Sequence, residues 1–153
     1  MRLYLDIDGV ITARPYSFPG IETFTVGGFF DGAAVEWHPE MFYTLVNGFD
    51  EVVWATTWIL APSLLDELEK KLGVKYERSP LTRANYNRSP LTCGKLRAVR
   101  KHYEANPAPF TWIDDHAGPS DHTFAEEEGG RLIVPTYETG GVYKIMAEDE
   151  AFS

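Results

Sequence analysis

The segment Arg2-Leu-Tyr-Leu-Asp6-Ile-Asp8-Gly9-Val10 delivers two carboxylates, two residues apart, to the point where a glycine ends an apolar run. Side chains alternate across a strand, so positions i and i+2 point the same way. Gly9 permits a sharp backbone turn just there. Two acids converging at a strand end repel each other by roughly 1 to 4 kcal/mol at ~4 Å. A divalent cation or a shared proton is the usual offset to such a cost. The plain alternative is an ordinary strand followed by an acidic turn. An EF-hand fits worse, because it needs glycine at its sixth position and a late glutamate, and neither is present.

The elements that must position these acids are readable from apolar periodicity. Strand-like runs recur at residues 3–7, 51–56, 74–77, 110–114 and 132–134. Helical patterns lie between most of them, at 39–46, 62–72, 94–103 and, more weakly, 120–128. In the second, Leu64, Leu65, Leu68 and Leu72 share a face and Gly73 ends the helix. Leu96, Val99 and Tyr103 form the stripe of the third. Strands alternating with helices imply parallel pairing, hence an α/β sandwich. Residues 12–38 break the alternation: Gly20, Gly27, Gly28 and Gly32 punctuate Phe18, Phe24, Phe29, Phe30 and Trp37. This stretch reads as a β-hairpin flap, its aromatics forming the flap's own core rather than a base-stacking platform. Residues 78–92 carry a short duplication, Arg78-Ser-Pro-Leu-Thr82 and Arg88-Ser-Pro-Leu-Thr92, and read as a proline-punctuated loop.

In an open parallel sheet, ligands bind beyond the carboxyl ends of the strands. The first run ends in Asp6 and Asp8, the second in Thr56-Thr57-Trp58, and the fourth in Asp114-Asp115-His116. Lys95 opens the helix before that fourth run. This set matches the needs of phosphoryl transfer from a monoester. One carboxylate attacks phosphorus and a second acid protonates the leaving oxygen. A magnesium ion held by a third carboxylate neutralises charge, while a hydroxyl and an ammonium hold the remaining phosphoryl oxygens.

These residues resemble the haloacid dehalogenase-like (HAD) phosphatase superfamily over residues 3–115. Asp6-Ile-Asp8-Gly9-Val10 is similar to the first motif of that family, with Val where Thr is commoner. Val-Val-Trp-Ala-Thr56 is similar to the second, Lys95 to the third and Trp-Ile-Asp114-Asp115 to the fourth. The resemblance implies Asp6 as nucleophile and Asp8 as general acid/base, with Asp8 also binding metal through its backbone carbonyl. It implies Thr56 and Lys95 as phosphoryl contacts, with Thr57 the alternative to Thr56. The magnesium ligands would be Asp6, Asp8 and Asp115, with Asp114 the alternative to Asp115. Gly9, Thr57, Trp58 and Arg88 are the candidate substrate contacts, Trp58 also being a packing candidate. Asp121 is either a support to the site or a helix cap. The acid at Asp8 favours phosphate chemistry over dehalogenation. The short insertions imply a capless member with an open site, and Trp-Ala-Thr-Thr-Trp is similar to HAD domains associated with RNA-repair proteins.

The expected fold is thus a single domain over residues 1–153, a three-layer Rossmann-like sandwich with sheet order 5-4-1-2-3 and a small flap. The expected activity is a magnesium-dependent phosphomonoesterase, with a nucleotide or nucleic-acid terminal phosphate as first substrate candidate and a phosphoprotein or small metabolite next. The competing reading is a metal- and nucleotide- or RNA-binding module of the same fold that does not turn over. Magnesium is preferred because the ligands are all hard oxygens. His38, His102, His116 and His122 make no zinc spacing with the lone Cys93.

Whole-chain properties agree. With 153 residues, 44% apolar and 14% aromatic, the chain can bury a sizeable core. No apolar stretch approaches the ~20 residues of a membrane span. Asp6 and Asp8 interrupt any signal-peptide pattern, and a single cysteine rules out an internal disulfide, so the expected compartment is the cytoplasm. A net charge of −9 argues against non-specific coating of nucleic acid. Yet Arg78, Arg83, Arg88, Lys95, Arg97, Arg100 and Lys101 fall in one stretch without an acid, which suits an anionic substrate or a solvated helix face. No obligate protein partner is evident.

Overall fold

A computed structural model describes residues 1–12, 20–27, 33–136 and 140–148. Five parallel strands form the central sheet: β1 (Arg2–Leu5), β4 (Glu51–Trp54), β5 (Glu77–Arg78), β6 (Phe110–Ile113) and β7 (Arg131–Ile133). The helices are α1 (Pro39–Asn47), α2 (Pro62–Leu72), α3 (Leu96–Ala105), α4 (Pro119–Glu127) and α5 (Gly141–Glu148), with a 3-10 turn at Thr57–Leu60. Strands β2 (Glu22–Val26) and β3 (Ala33–Trp37) pair antiparallel as a separate hairpin.

The order of the main sheet is β5-β4-β1-β6-β7. The expected order 5-4-1-2-3 does not match it, because the second and third strands of the chain are the hairpin and stand outside the sheet. The expected order numbers only the five apolar runs. Of these, residues 3–7 supply the central strand, the second and third runs lie to one side, and the fourth and fifth to the other. The first four strands of the sheet are also shorter than their apolar runs. The third is only Glu77–Arg78, and the first stops at Leu5, one residue before Asp6.

Burial on both sides of the sheet follows the two-residue period of a strand. Leu3, Leu5, Val52, Trp54 and Ile113 face one cluster, with Phe42 and Leu45 of α1, Leu65 and Leu68 of α2, and Val142 of α5. Tyr4, Val53, Ala55, Phe110 and Trp112 face the other, with Val99 of α3 and Phe124 of α4. The result is a Rossmann-like α/β arrangement with helices on both faces. Helix α2 begins with Pro62 and ends on Gly73 at φ 74°, the left-handed cap that its sequence implied.

The flap does not keep a core to itself. Val26, Val35 and Trp37 join the main cluster, and Trp37 meets Phe42 edge-on, ring centroids 5.6 Å apart. Phe18, Phe29 and Phe30 lie outside the described residues. Helix α5, which the periodicity did not predict, closes this face: Val142 N–H donates to Val10 O at 3.0 Å and the Tyr143 hydroxyl donates to Ile11 O.

Candidate functional site

The β1 ladder runs on through Asp6, whose N–H donates to Ile113 O at 3.1 Å. Beyond it the chain coils tightly: Val10, Ile11 and Thr12 all direct their N–H groups at Ile7 O. Gly9 sits at φ 74°, and a Cβ there would lie 2.0 Å from Asp115 Oδ2. Its own N–H donates to the Thr12 hydroxyl at 3.2 Å. Gly9 therefore makes room for Asp115 and does not itself line the cavity.

Adjacency of β1 and β6 brings the two acidic strand ends together. One carboxylate oxygen from each of Asp6, Asp114 and Asp115 lies within 4.8 Å of the others. Lys95, at the N-terminus of α3, reaches between them, its Nζ 2.7 Å from Asp114 Oδ2 and 3.1 Å from Asp6 Oδ2. All of Asp6, Asp114 and Lys95 are buried. Burial pushes the Asp6 carboxyl up to about 6 despite the opposing pull of Lys95. It does the same to Asp114, helped by the charge of Asp6, and to Asp115, helped by the charge of Asp114, each reaching about 6. Burial alone would lower the Lys95 ammonium, but Asp6 and Asp114 outweigh it and hold it above its usual range.

The alternatives left open at two positions differ in geometry. Both Asp114 oxygens are engaged, Oδ2 by Lys95 and Oδ1 by the His116 N–H at 2.9 Å. Asp115 Oδ1 is buried without a hydrogen-bond partner, and Asp115 lines the cavity. A buried carboxylate oxygen without a donor is costly, and a bound hard cation would satisfy it. Likewise Thr56 is fully buried, its hydroxyl accepting from the Trp58 N–H at 3.3 Å, while Thr57 lines the cavity. Trp58 is buried against the core and donates its indole N–H to Asp8 Oδ2 at 3.0 Å.

The cavity itself, about 140 Å3, is lined by Asp6, Asp8, Thr57, Lys95, Asp115 and His116, with Tyr86, Arg88 and Cys93 completing the wall. Sequence reasoning missed Tyr86, Cys93 and His116 as site residues. The spacing of His116 and Cys93 speaks only to zinc, and no local signal marks Tyr86. Asp121 is a support rather than a wall residue. Fully buried, it accepts from the Thr92 hydroxyl (2.7 Å), Cys93 N–H (2.8 Å) and Gly118 N–H (2.9 Å), tying the start of α4 to the loop that carries Lys95.

The basic stretch is dispersed by the fold. Lys95 is at the cavity floor, Arg78 is bound to Asp66 and Glu69, and Arg100 lies over the Phe124 ring, 5.2 Å from its centroid. Of the seven cations, Lys95 and Arg88 line the cavity. A second cluster, Glu51, Glu77 and His102, gathers at the opposite end of the strands. It already holds its own cation, since Arg2 Nε donates to Glu51 Oε2 at 2.9 Å and Arg2 Nη1 to the Tyr4 hydroxyl, which contacts His102 Nδ1.

Compared with known proteins, the sequence matches no family model, and no curated protein or solved structure matches it. Among the described residues, no helix is long and apolar enough to cross a membrane.

Proposed function

We propose that the chain is a magnesium-dependent phosphomonoesterase that works through an aspartyl-phosphate on Asp6, with nucleotide or nucleic-acid terminal phosphates as the substrate class. The observation that carries this reading is the meeting of Asp6, Asp114 and Asp115 around Lys95 at the carboxyl ends of adjacent parallel strands. The resemblance of the four motifs to HAD phosphatases supplies the roles.

An Asp6 carboxylate oxygen attacks phosphorus and the bond to the leaving oxygen breaks. Asp8, held by Trp58, gives that oxygen its proton. Asp8 then takes a proton from water, whose oxygen attacks the same phosphorus, breaking the bond to Asp6 and releasing inorganic phosphate. Thr57 and Lys95 face the cavity where non-reacting phosphoryl oxygens would lie. The carboxylates of Asp6 and Asp115, with the Asp8 carbonyl, would hold magnesium, and the unpartnered Asp115 Oδ1 fits that use. When bound, the ion supplies charge neutralisation for the phosphoryl oxygens.

The test is turnover of p-nitrophenyl phosphate with magnesium, by wild type and by Asp6→Asn. The substitution should lower kcat by about three orders of magnitude or more. Equal inertness of both proteins, with nucleotide or RNA still bound, would replace this reading with the non-catalytic module.

A further inference from the structure

Two cations enter the cavity at different depths, and they are held in different ways. Lys95 is buried at the floor and its charge is met by Asp6 and Asp114. Arg88 is exposed at the rim, and among the described residues no carboxylate pairs with it. Its partner is an imidazole: Arg88 Nη2 lies 3.1 Å from His116 Nδ1. A guanidinium can only donate, so His116 Nδ1 accepts, and the ring proton sits on Nε2, which faces Asp115 Oδ2 at 3.4 Å. The chain Arg88–His116–Asp115 therefore pins a guanidinium beside the reacting acids without neutralising it. Tyr86, half-buried on the same loop, forms the adjoining wall; its ring edge lies 2.7 Å from where a Cβ on Gly94 would be.

A floor cation suffices for the scissile phosphoryl group. A second cation, oriented and left without an anion at the mouth, has its donors available for charge on the part of the substrate that leaves. We propose that Arg88, braced by His116, forms a second anion subsite, so that preferred substrates carry a further phosphate close to the scissile phosphomonoester. This rests on the phosphatase reading for the scissile group, but the subsite can be read by binding alone. The second phosphate has two sources, a nucleoside 3′,5′-bisphosphate or the penultimate linkage of an oligonucleotide bearing a terminal phosphate.

The specificity constant for each of these two substrates would be compared with that for the matching nucleoside monophosphate, in wild type, Arg88→Ala and Arg88→Lys. Wild type should favour the substrate with the second phosphate by about tenfold or more. Arg88→Ala should bring that ratio close to one, and Arg88→Lys should fall between, since a point charge lacks the planar fork. A preference for the bisphosphate assigns the small-molecule source, and a preference for the oligonucleotide alone assigns the polymer. Calorimetric binding of the same pairs gives the ratio even if no ester is hydrolysed, so failure of turnover counts against the phosphatase reading only. A wild-type ratio near one, or a ratio that Arg88→Ala leaves unchanged, overturns the subsite.

Discussion

Trp58 donates its indole N–H to Asp8 Oδ2 at 3.0 Å, linking the turn after β4 to the acid beyond β1. Thr56 sets up this contact from behind. Its hydroxyl accepts from the Trp58 N–H and its carbonyl from the Ile59 N–H, so the 3-10 turn that presents the indole starts on a buried threonine. The residue that sequence reasoning favoured for phosphate is thereby engaged in aiming a neighbour.

Trp58→Phe keeps an aromatic ring in the same pocket and removes the donor to Asp8 together with part of the indole's volume. A hydrogen bond to a charged group contributes about 1.5–3 kcal/mol. If the contact holds Asp8 for proton transfer, kcat on p-nitrophenyl phosphate should fall about tenfold with little change in KM. A change in KM alone would show that the indole serves substrate contact instead.

Burial, complete for Asp6 and Asp114 and partial for Asp115, makes these three carboxyls a source of pH-dependent stability. Asp6, Asp114 and Asp115 are each pushed up to about 6, above the ~3.9 of an unfolded aspartate. The folded chain thus binds more protons than the unfolded chain between about pH 4 and 6, so stability declines as pH rises through that window. For Asp114 alone the decline is on the order of 3 kcal/mol. Thermal melts of the metal-free protein should therefore give a lower Tm at pH 7 than at pH 5. Added magnesium should raise Tm more at pH 7 than at pH 5, because only ionised carboxylates bind it. Asp115→Asn should remove most of that gain, and a gain equal at both pH values would argue against these acids as the ligands.

Gly9→Ala tests how closely the β1 turn approaches the acids. The added Cβ would fall 2.0 Å from Asp115 Oδ2 on a backbone held at φ 74°. The backbone conformation alone costs about 1–3 kcal/mol for a non-glycine residue. A lower Tm and loss of the magnesium-dependent gain are expected together. A lower Tm with that gain intact would mean that Asp115 shifts without consequence for the cation.

Much of the layout was legible because its signals are local. The apolar runs, the Pro62-to-Gly73 helix and the carboxyl-terminal placement of Asp6, Asp8, Asp114 and Lys95 follow from short-range periodicity and end signals. The 3-10 turn at Thr57–Leu60 and α5 carried no such signal, and the flap's Trp37 joined the main core because Phe42 of α1 was there to meet it. The seven-cation stretch left open an anion-facing surface or a solvated helix face, and the fold splits it, with Arg78 claimed by Asp66 and Glu69 of α2.

Residue type and period, read along the chain, determined that carboxylates and hydroxyls would follow strands of one sheet and that an ammonium would open a helix. Only the tertiary structure put Thr57 rather than Thr56 on the cavity, and it left an open oxygen on Asp115, the acid the sequence already favoured, rather than on Asp114. The reason is that adjacent residues share composition and period, whereas burial and partner choice depend on groups brought in from elsewhere in the chain, here Lys95 for Asp114 and Trp58 for Thr56.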